Sequence, residues 1–153
     1  MFRKILVAVD GSATSNKGYK VALDLAKSVG ARLVVLHVID ERAVGIGLSA
    51  SGFVAPAYVE DVIAALRDAG RKVLAKAQRE AQAKGQAIDA HLVESLGNGV
   101  AHTILAQAKK QKPDLIVLGT HGRRGLARVV VGSDAETVLR EATVPVLLVR
   151  AKG

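Results

Sequence analysis

Short runs of aliphatic residues alternate along the chain with longer stretches in which apolar residues recur at helical spacing. Three runs, at residues 5–9, 33–38 and 115–118, consist mainly of Val, Leu and Ile and contain no charged side chain. Unbroken apolar runs of this length are typical of strands that are covered on both faces, and such strands are usually parallel. The pattern therefore predicts three central strands of a parallel sheet.

Two further segments predict strands nearer the edge of that sheet. Residues 87–93 mix apolar and polar side chains, which indicates a strand that is covered less completely. Residues 144–149 are aliphatic, but Pro145 lacks the backbone N–H that a central strand needs. We expect this last strand to begin at Pro145 or to lie at an edge.

Four helices are predicted between the strands. Residues 14–29, about 57–84 and 100–110 place apolar side chains on one face, with charged residues between them. The last helix begins at Ser133, which forms a capping-box sequence with Glu136, so that each of these side chains satisfies a backbone N–H near the other.

This order of strands and helices predicts an α/β fold in which a parallel sheet lies between two layers of helices. All 153 residues fit a single domain, residues 1–153. Residues 40–56 are irregular and contain Gly45, Gly47, Gly52 and Pro56. Because a long loop inside a compact domain is usually functional or mobile, we expect a flexible loop that covers one end of the sheet.

Composition narrows the class of protein further. The chain contains no Cys, no Trp, two Phe and two Tyr, so its core must be aliphatic, and disulfides, thiolate metal sites and cysteine nucleophiles are excluded. No apolar run approaches the roughly 18 residues of a membrane span. The run at 5–9 ends at Asp10, before it reaches the length of a signal peptide. We expect a soluble, cytoplasmic protein with no membrane association.

Candidate chemistry lies beyond the carboxyl ends of the predicted strands, where open parallel sheets bind ligands. The first, third and fourth strands are followed there by small residues, at 10–12, 97–99 and 119–122. The loop after the fourth strand is rich in Gly and Arg and ends at the predicted helix that begins at Ser133. Glycine lets the backbone approach an anion and adopt positive φ, and a helix N-terminus favours negative charge. These residues predict a phosphate-binding loop.

Other site types are less consistent with the sequence. No G-x-x-x-x-G-K-[ST] string exists, and residues 45–50 match G-x-G-x-x-A without lying between a strand and a helix. The glycines at 97–99 are better placed to turn the chain into the third helix. His37, His91 and His102 lie on separate predicted elements without metal-ligand spacing, and no nucleophile–base pair stands out. We therefore assign no catalytic residue and no metal site.

The glycine spacing also carries a family resemblance. Gly119-x2-Gly122-x9-Gly132-Ser133 resembles the G-2x-G-9x-G-(S/T) signature of the ATP-binding branch of the universal stress protein (UspA) family. Residues 5–12, 36–38 and 144–149 are similar to that family's first strand and loop, second strand end and final strand. The loop at 97–99 departs from the family, which often has Gly-Asp-Pro there. The resemblance covers the whole chain and implies a Rossmann-like fold, of the adenine nucleotide alpha hydrolase type, with strand order 3-2-1-4-5.

The resemblance also implies ATP in the crevice between the first and fourth strands. Asp10 would accept hydrogen bonds from the ribose hydroxyls, and the backbone of Val38 would meet the adenine edge. The phosphates would lie against Gly119, Gly122, Gly132 and Ser133. Two alternatives stay open: Asp10 could only turn the chain before the first helix, and the Ser133 hydroxyl could serve only the capping box.

The leading interpretation is an ATP-binding universal stress protein that acts as a nucleotide-dependent regulator of a stress response. It would form a homodimer through residues 144–150, since an apolar edge strand invites pairing. The alternative is a slow ATP-hydrolysing, or nucleotidyl- or phosphoryl-transferring, enzyme that uses the same crevice, with Mg²⁺ held mainly by phosphate oxygens and water. The net charge of +8 attracts phosphates, but the near absence of aromatic residues argues against nucleic acid.

Overall fold

The computed structural model describes residues 1–42, 56–120 and 131–150. Within these residues the strands, in chain order, are β1 (Lys4–Ala8), β2 (Arg32–Ile39), β3 (Ile88–Glu94), β4 (Leu115–Gly119) and β5 (Val146–Val149). The helices are α1 (Ala13–Val29), α2 (Pro56–Ala83), α3 (Val100–Gln111) and α4 (Ser133–Glu141). The predicted alternation of strands and helices is confirmed, with element ends that differ by one or two residues.

The five strands form one open, fully parallel sheet in the order β3-β2-β1-β4-β5. Val7 at the centre of β1 is paired with Val35 on one side and Val117 on the other. The expected fold class and strand order are therefore confirmed. So are the edge positions of β3 and β5, and β5 begins directly after Pro145.

Side chains alternate between two hydrophobic cores, one on each face of the sheet. Ile5 and Val7 pack with α1 and α2, whereas Leu6 between them packs with α3 and α4. All three side chains are fully buried. Burial of one such side chain contributes about 1.5–3 kcal/mol, so these aliphatic strands hold a layer of helices on each face of the sheet.

One of the two tyrosines joins the helices on the first face. The Tyr19 hydroxyl of α1 donates a hydrogen bond of 2.5 Å to the carbonyl oxygen of Ala77 in α2. Burial, helped by the charge of Glu80, raises the pKa of Tyr19 to about 12. The phenol therefore stays neutral, and it fixes α1 against α2.

The capping box predicted for the last helix is wrong. The N-cap of α4 is Gly132 rather than Ser133, and no side chain caps this end. Ser133 is the first helical residue and is exposed. The extended conformation of Gly132 (φ −63°, ψ 148°) starts the helix one residue earlier than the polar pattern predicts.

Most of the loop predicted at 40–56 lies outside the described residues, which include only its first three positions and Pro56, where α2 begins. None of the helices in the described part of the chain is long and apolar enough to cross a membrane.

Candidate functional site

The turn that leaves β1 is organised around Asp10. Its Oδ1 accepts a hydrogen bond of 2.9 Å from the backbone N–H of Ser12, and its own N–H donates to Ser15 Oγ at 3.2 Å. Ser12 Oγ in turn accepts from the N–H of Ser15 and caps α1. Asp10 thus shapes the turn into α1, the structural role that the sequence gave as one of two alternatives. Its side chain is only partly buried at the carboxyl edge of the sheet.

Gly119 ends β4 beside this turn, because β1 and β4 are neighbours in the sheet. A Cβ atom at Gly119 would lie 2.9 Å from the carbonyl carbon of Thr14 and 3.0 Å from the nitrogen of Ser15. Gly18 makes the complementary approach, since a Cβ there would lie 3.3 Å from the nitrogen of Gly119. Glycine at 119 therefore lets the first turn of α1 pack against the end of β4.

The ends of the predicted phosphate loop are held together by backbone hydrogen bonds. The N–H of Gly132 donates to the carbonyl oxygen of Thr120 at 2.7 Å, and the N–H of Thr120 donates to that of Val149 at 2.9 Å. The Gly132 amide is thus occupied within the protein, which leaves the first amides of α4, beginning at Ser133, to face an anion. Gly122 lies outside the described residues.

Positive φ does not explain the described glycines of this signature. Gly132 has φ −63°, and Gly119 is not among the residues with positive φ. Gly97 and Gly99, by contrast, have φ values of +80° and +85° and lead the chain into α3, as the sequence predicted for that loop. Of the two reasons that the sequence offered for glycine in this loop, positive φ therefore applies to neither Gly119 nor Gly132, and at Gly119 the close approach of α1 requires glycine.

Val38 lies near the end of β2, half-buried against the core that contains α3 and α4. Two hydrogen bonds link the exit of β1 to the residues that precede Val38. The N–H of Val9 donates to the carbonyl oxygen of Leu36 at 2.8 Å, and His37 Nδ1 lies 2.8 Å from the carbonyl oxygen of Val9. Since a carbonyl only accepts, Nδ1 carries the proton, and buried His37 fixes the β1–β2 edge as a structural residue.

Charged residues that the sequence did not single out lie at the exits of β2 and β3. Arg67 Nε of α2 donates to Glu94 Oε1 at 2.6 Å. Burial, followed by the charge of Glu94, raises the pKa of Glu41, and the hydrogen bond from Arg67 lowers the pKa of Glu94. No periodicity could reveal a pair that is 27 residues apart on different elements.

A second charged group joins the β2 exit to the two helices on the other face. Arg42 Nε donates to Asp40 Oδ1 at 3.1 Å, and its guanidinium lies against Gly99, the N-cap of α3. Asp134 of α4 accepts a hydrogen bond of 3.3 Å from the N–H of Ala101 in the first turn of α3. Arg42 and Asp134 attract each other.

The structure therefore places Asp10, Gly119, Gly132 and Ser133 around the exits of the two central strands, with Val38 on the adjacent strand. Groups of three or more His, Asp or Glu side chains that could hold a metal ion are absent from the part of the chain that the structure describes. This arrangement defines a three-layer α/β protein with its candidate site at the point where the strand order reverses.

Comparison with known proteins identifies the family within this class. The model of the universal stress protein family matches residues 1–150. The chain is 36% identical over 151 residues to the universal stress protein YxiE of Bacillus subtilis, with 98% of this chain and 100% of that protein covered. It is 34% identical over 150 residues to the universal stress protein MJ0531 of Methanocaldococcus jannaschii, with 98% and 83% covered. The chain belongs to the universal stress protein family.

Solved structures agree with this assignment. UspA from Lactobacillus plantarum superposes with a TM-score of 0.80 at 26% identity over 97% of both chains. Two more distant structures are complexes. One is a universal stress protein with cAMP (TM-score 0.69, 23% identity, 99% of both chains), and the other is from Archaeoglobus fulgidus with dAMP (TM-score 0.66, 23% identity, 96% of this chain and 97% of that one). At this identity the likeness to the two complexes establishes the fold alone.

Proposed function

We propose that this universal stress protein binds ATP at the carboxyl edge of β1 and β4 and acts as a nucleotide-dependent regulator in a stress response. The observation that carries the proposal is that three segments of the chain lie together at the carboxyl edge of the sheet. The Asp10 turn, the end of β4 at Gly119 and the start of α4 at Ser133 lie at the exits of neighbouring strands. These are the segments that match the glycine signature and the first loop of the ATP-binding branch.

The resemblance to the ATP-binding branch gives each residue at this edge its proposed role. Asp10 accepts hydrogen bonds from the ribose hydroxyls, and the backbone of Val38 meets the adenine edge. The phosphates lie against Gly122 and the N-terminus of α4 at Gly132 and Ser133, whose first amides have no partner within the helix. Gly119 contributes by bringing the first turn of α1 against the end of β4, since a side chain there would separate the two.

An adenine nucleotide is the ligand class that the related complexes favour, because cAMP and dAMP share adenine and a phosphate. Mg²⁺, where it accompanies ATP, would be held mainly by phosphate oxygens and water. A regulatory role is preferred to an enzymatic one because residues 119–132, the loop after β4, contain no lysine to hold a transferred phosphate.

Calorimetric titration of the purified protein with ATP, ADP, AMP and adenosine, after removal of any co-purified nucleotide, tests this function. We expect saturable one-site binding of ATP. Prolonged incubation with ATP and Mg²⁺ should release little phosphate; turnover would support the enzymatic alternative instead. Absence of binding to all four ligands by a folded protein would overturn the proposal.

We also propose a homodimer joined through residues 144–150. β5 is an edge strand, and Leu147 on it is 36% exposed. Leu139 on the neighbouring α4 is 50% exposed. An apolar edge strand beside a second exposed leucine favours pairing with the same strand of another copy, which is the commonest symmetric arrangement.

A further inference from the structure

Helix α4, whose N-terminus forms part of the proposed phosphate site, has negative charges in its first turn, where a phosphate would bind. The first turn of α4 contains Asp134 and Glu136, one and three residues after Ser133. A carboxylate in the first turn of a helix already compensates the positive end of its dipole. An anion that approaches the same turn is therefore repelled unless the carboxylate is neutralised or directed elsewhere.

The Asp134 carboxylate is directed to another helix. Its Oδ1 accepts a hydrogen bond of 3.3 Å from the N–H of Ala101, in the first turn of α3. The N-cap of α3, Gly99, has no side chain and makes no capping hydrogen bond of its own. Asp134 therefore supplies the negative charge at the N-terminus of α3, although it belongs to α4.

Arg42 completes this arrangement from the exit of β2. Its Nε donates to Asp40 Oδ1 at 3.1 Å. Its guanidinium lies so close to Gly99 that a Cβ there would be 2.6 Å from Cζ, Nη1 and Nη2. The hydrogen bond and charge of Asp40, with a further contribution from the charge of Asp134, raise the pKa of Arg42. Arg42 thus lies at the N-terminus of α3, the same helix end to which Asp134 of α4 is hydrogen-bonded.

We propose that Arg42 is a positioning residue for polyphosphate binding, which acts from the N-terminus of α3 by offsetting the charge of the Asp134 carboxylate that the Ala101 N–H binds there. The inference rests on the proposed function, since it concerns the same nucleotide site. It assigns Arg42 a role in distinguishing ligands by charge: the more negative the phosphate group at α4, the more binding depends on Arg42. Adenosine, which carries no phosphate, is indifferent to it.

Titration of wild type, Arg42→Gln, Arg42→Lys and Asp134→Asn with ATP, AMP and adenosine tests the inference. Removing or exposing one unit charge near a phosphate changes binding by roughly threefold to tenfold at moderate salt. We expect Arg42→Gln to weaken ATP by this factor, AMP by less and adenosine not at all, and Arg42→Lys to retain most of the ATP affinity. Asp134→Asn keeps an oxygen to accept from Ala101, and it should strengthen ATP binding.

The double variant Arg42→Gln/Asp134→Asn separates positioning from simple attraction. If Arg42 acts through Asp134, its loss should have little further effect once Asp134 is neutral. The matched control is Arg32→Gln, at the opposite end of β2, where Arg32 pairs with Asp89 at 3.3 Å on the surface. This control removes the same charge from the protein and should leave the ATP affinity unchanged.

The possible results are distinct. Equal weakening of ATP and adenosine by Arg42→Gln, or the same loss of ATP binding with and without Asp134→Asn, would overturn the role of Arg42 while the proposed function stands. Raised ionic strength should also shrink the effect on ATP, because screening weakens exposed charges. A wild-type protein that binds none of the three ligands would overturn both proposals.

Discussion

Gly119 and Thr14 touch where the end of β4 passes the first turn of α1, so closely that a Cβ at Gly119 would be 2.9 Å from the Thr14 carbonyl carbon. The neighbouring atoms are mostly backbone, which cannot rotate away. We therefore predict that Gly119→Ala destabilises the protein by about 1–3 kcal/mol, the usual cost of overpacking. Urea denaturation of the nucleotide-free protein measures this loss. An unchanged midpoint and slope would show that α1 can move aside.

Gly132→Val, unlike Gly119→Ala, should affect ATP binding rather than the stability of the fold. Its φ of −63° is open to any residue, so we expect a stable fold. A β-branched side chain at the start of α4 would nevertheless block the approach of a phosphate, and ATP binding should be lost. We expect the same loss from Gly122→Val. Calorimetry with thermal unfolding of each variant checks both parts, and undiminished ATP affinity in a folded variant would contradict the phosphate role.

Asp10→Ala should weaken ATP binding by about 1–3 kcal/mol, the scale of a charge-assisted hydrogen bond lost from a partly buried site. The turn also loses the acceptor for the Ser12 N–H, so some stability should be lost as well. Asp10→Asn is the matched control, because its amide oxygen can still accept from Ser12. If both variants bind ATP as the wild type does, Asp10 serves only the turn.

Asp114 makes the amino-terminal end of the sheet sensitive to acid. Its Oδ2 accepts hydrogen bonds from the N–H groups of Arg3 (2.7 Å) and Lys4 (2.8 Å), which lower the pKa of this carboxyl below its usual 3.8. Because folding lowers this pKa, the ionised Asp114 carboxylate stabilises the protein at pH values above the usual pKa. The stabilisation is lost as the pH falls through the pKa of the folded protein.

The corresponding variant is Asp114→Asn. We expect it to lower the melting temperature at pH 7, and the difference from wild type should shrink as the pH falls below about 4. Asp89→Asn, which removes a carboxylate from an exposed pair with Arg32, is the control. A difference that is constant across the pH range would mean that ionisation of Asp114 contributes nothing.

The proposed dimer is tested at Leu147, which is 36% exposed on the edge strand β5. The wild type should scatter light as a particle of about twice the chain mass of 15.9 kDa, and Leu147→Asp should shift it toward the monomer, because a charge cannot be buried unpaired at an interface. Leu96→Asp, at the exposed turn after β3 on the opposite edge, should leave the dimer intact. A wild type that is monomeric at high concentration would exclude this interface.

Much of the fold could be predicted from the sequence because burial leaves a local pattern. The continuous aliphatic runs of β1, β2 and β4 indicated strands covered on both faces, and these are the three inner strands of the sheet. Pro145 marked the start of β5 because proline cannot donate to a ladder. The spacing of glycines, joined to both ends of the chain, indicated the family that the comparisons established.

The candidate site was predicted less completely, since a role in a site depends on what lies across from each residue. The residue types predicted roles for Gly119 and Gly132 through close approach of the backbone or positive φ. Neither has positive φ, and Gly119 is glycine because Thr14 and Ser15 pack against it. The predicted capping box was also wrong, because α4 begins directly after Gly132. The Gly132 N–H donates to the carbonyl oxygen of Thr120, which follows the end of β4.

What the sequence determined by itself was the kind and order of the elements and the segments that leave the strands at the carboxyl edge. Only the tertiary structure decided which charges meet there. Arg42 follows β2, whereas Ala101 lies on α3 and Asp134 on α4, and the hydrogen bond from Ala101 to Asp134 spans 33 residues of sequence. Periodicity and capping preferences act over a few residues, whereas the electrostatic balance of a site depends on distances that exist only after the helices have packed on the sheet.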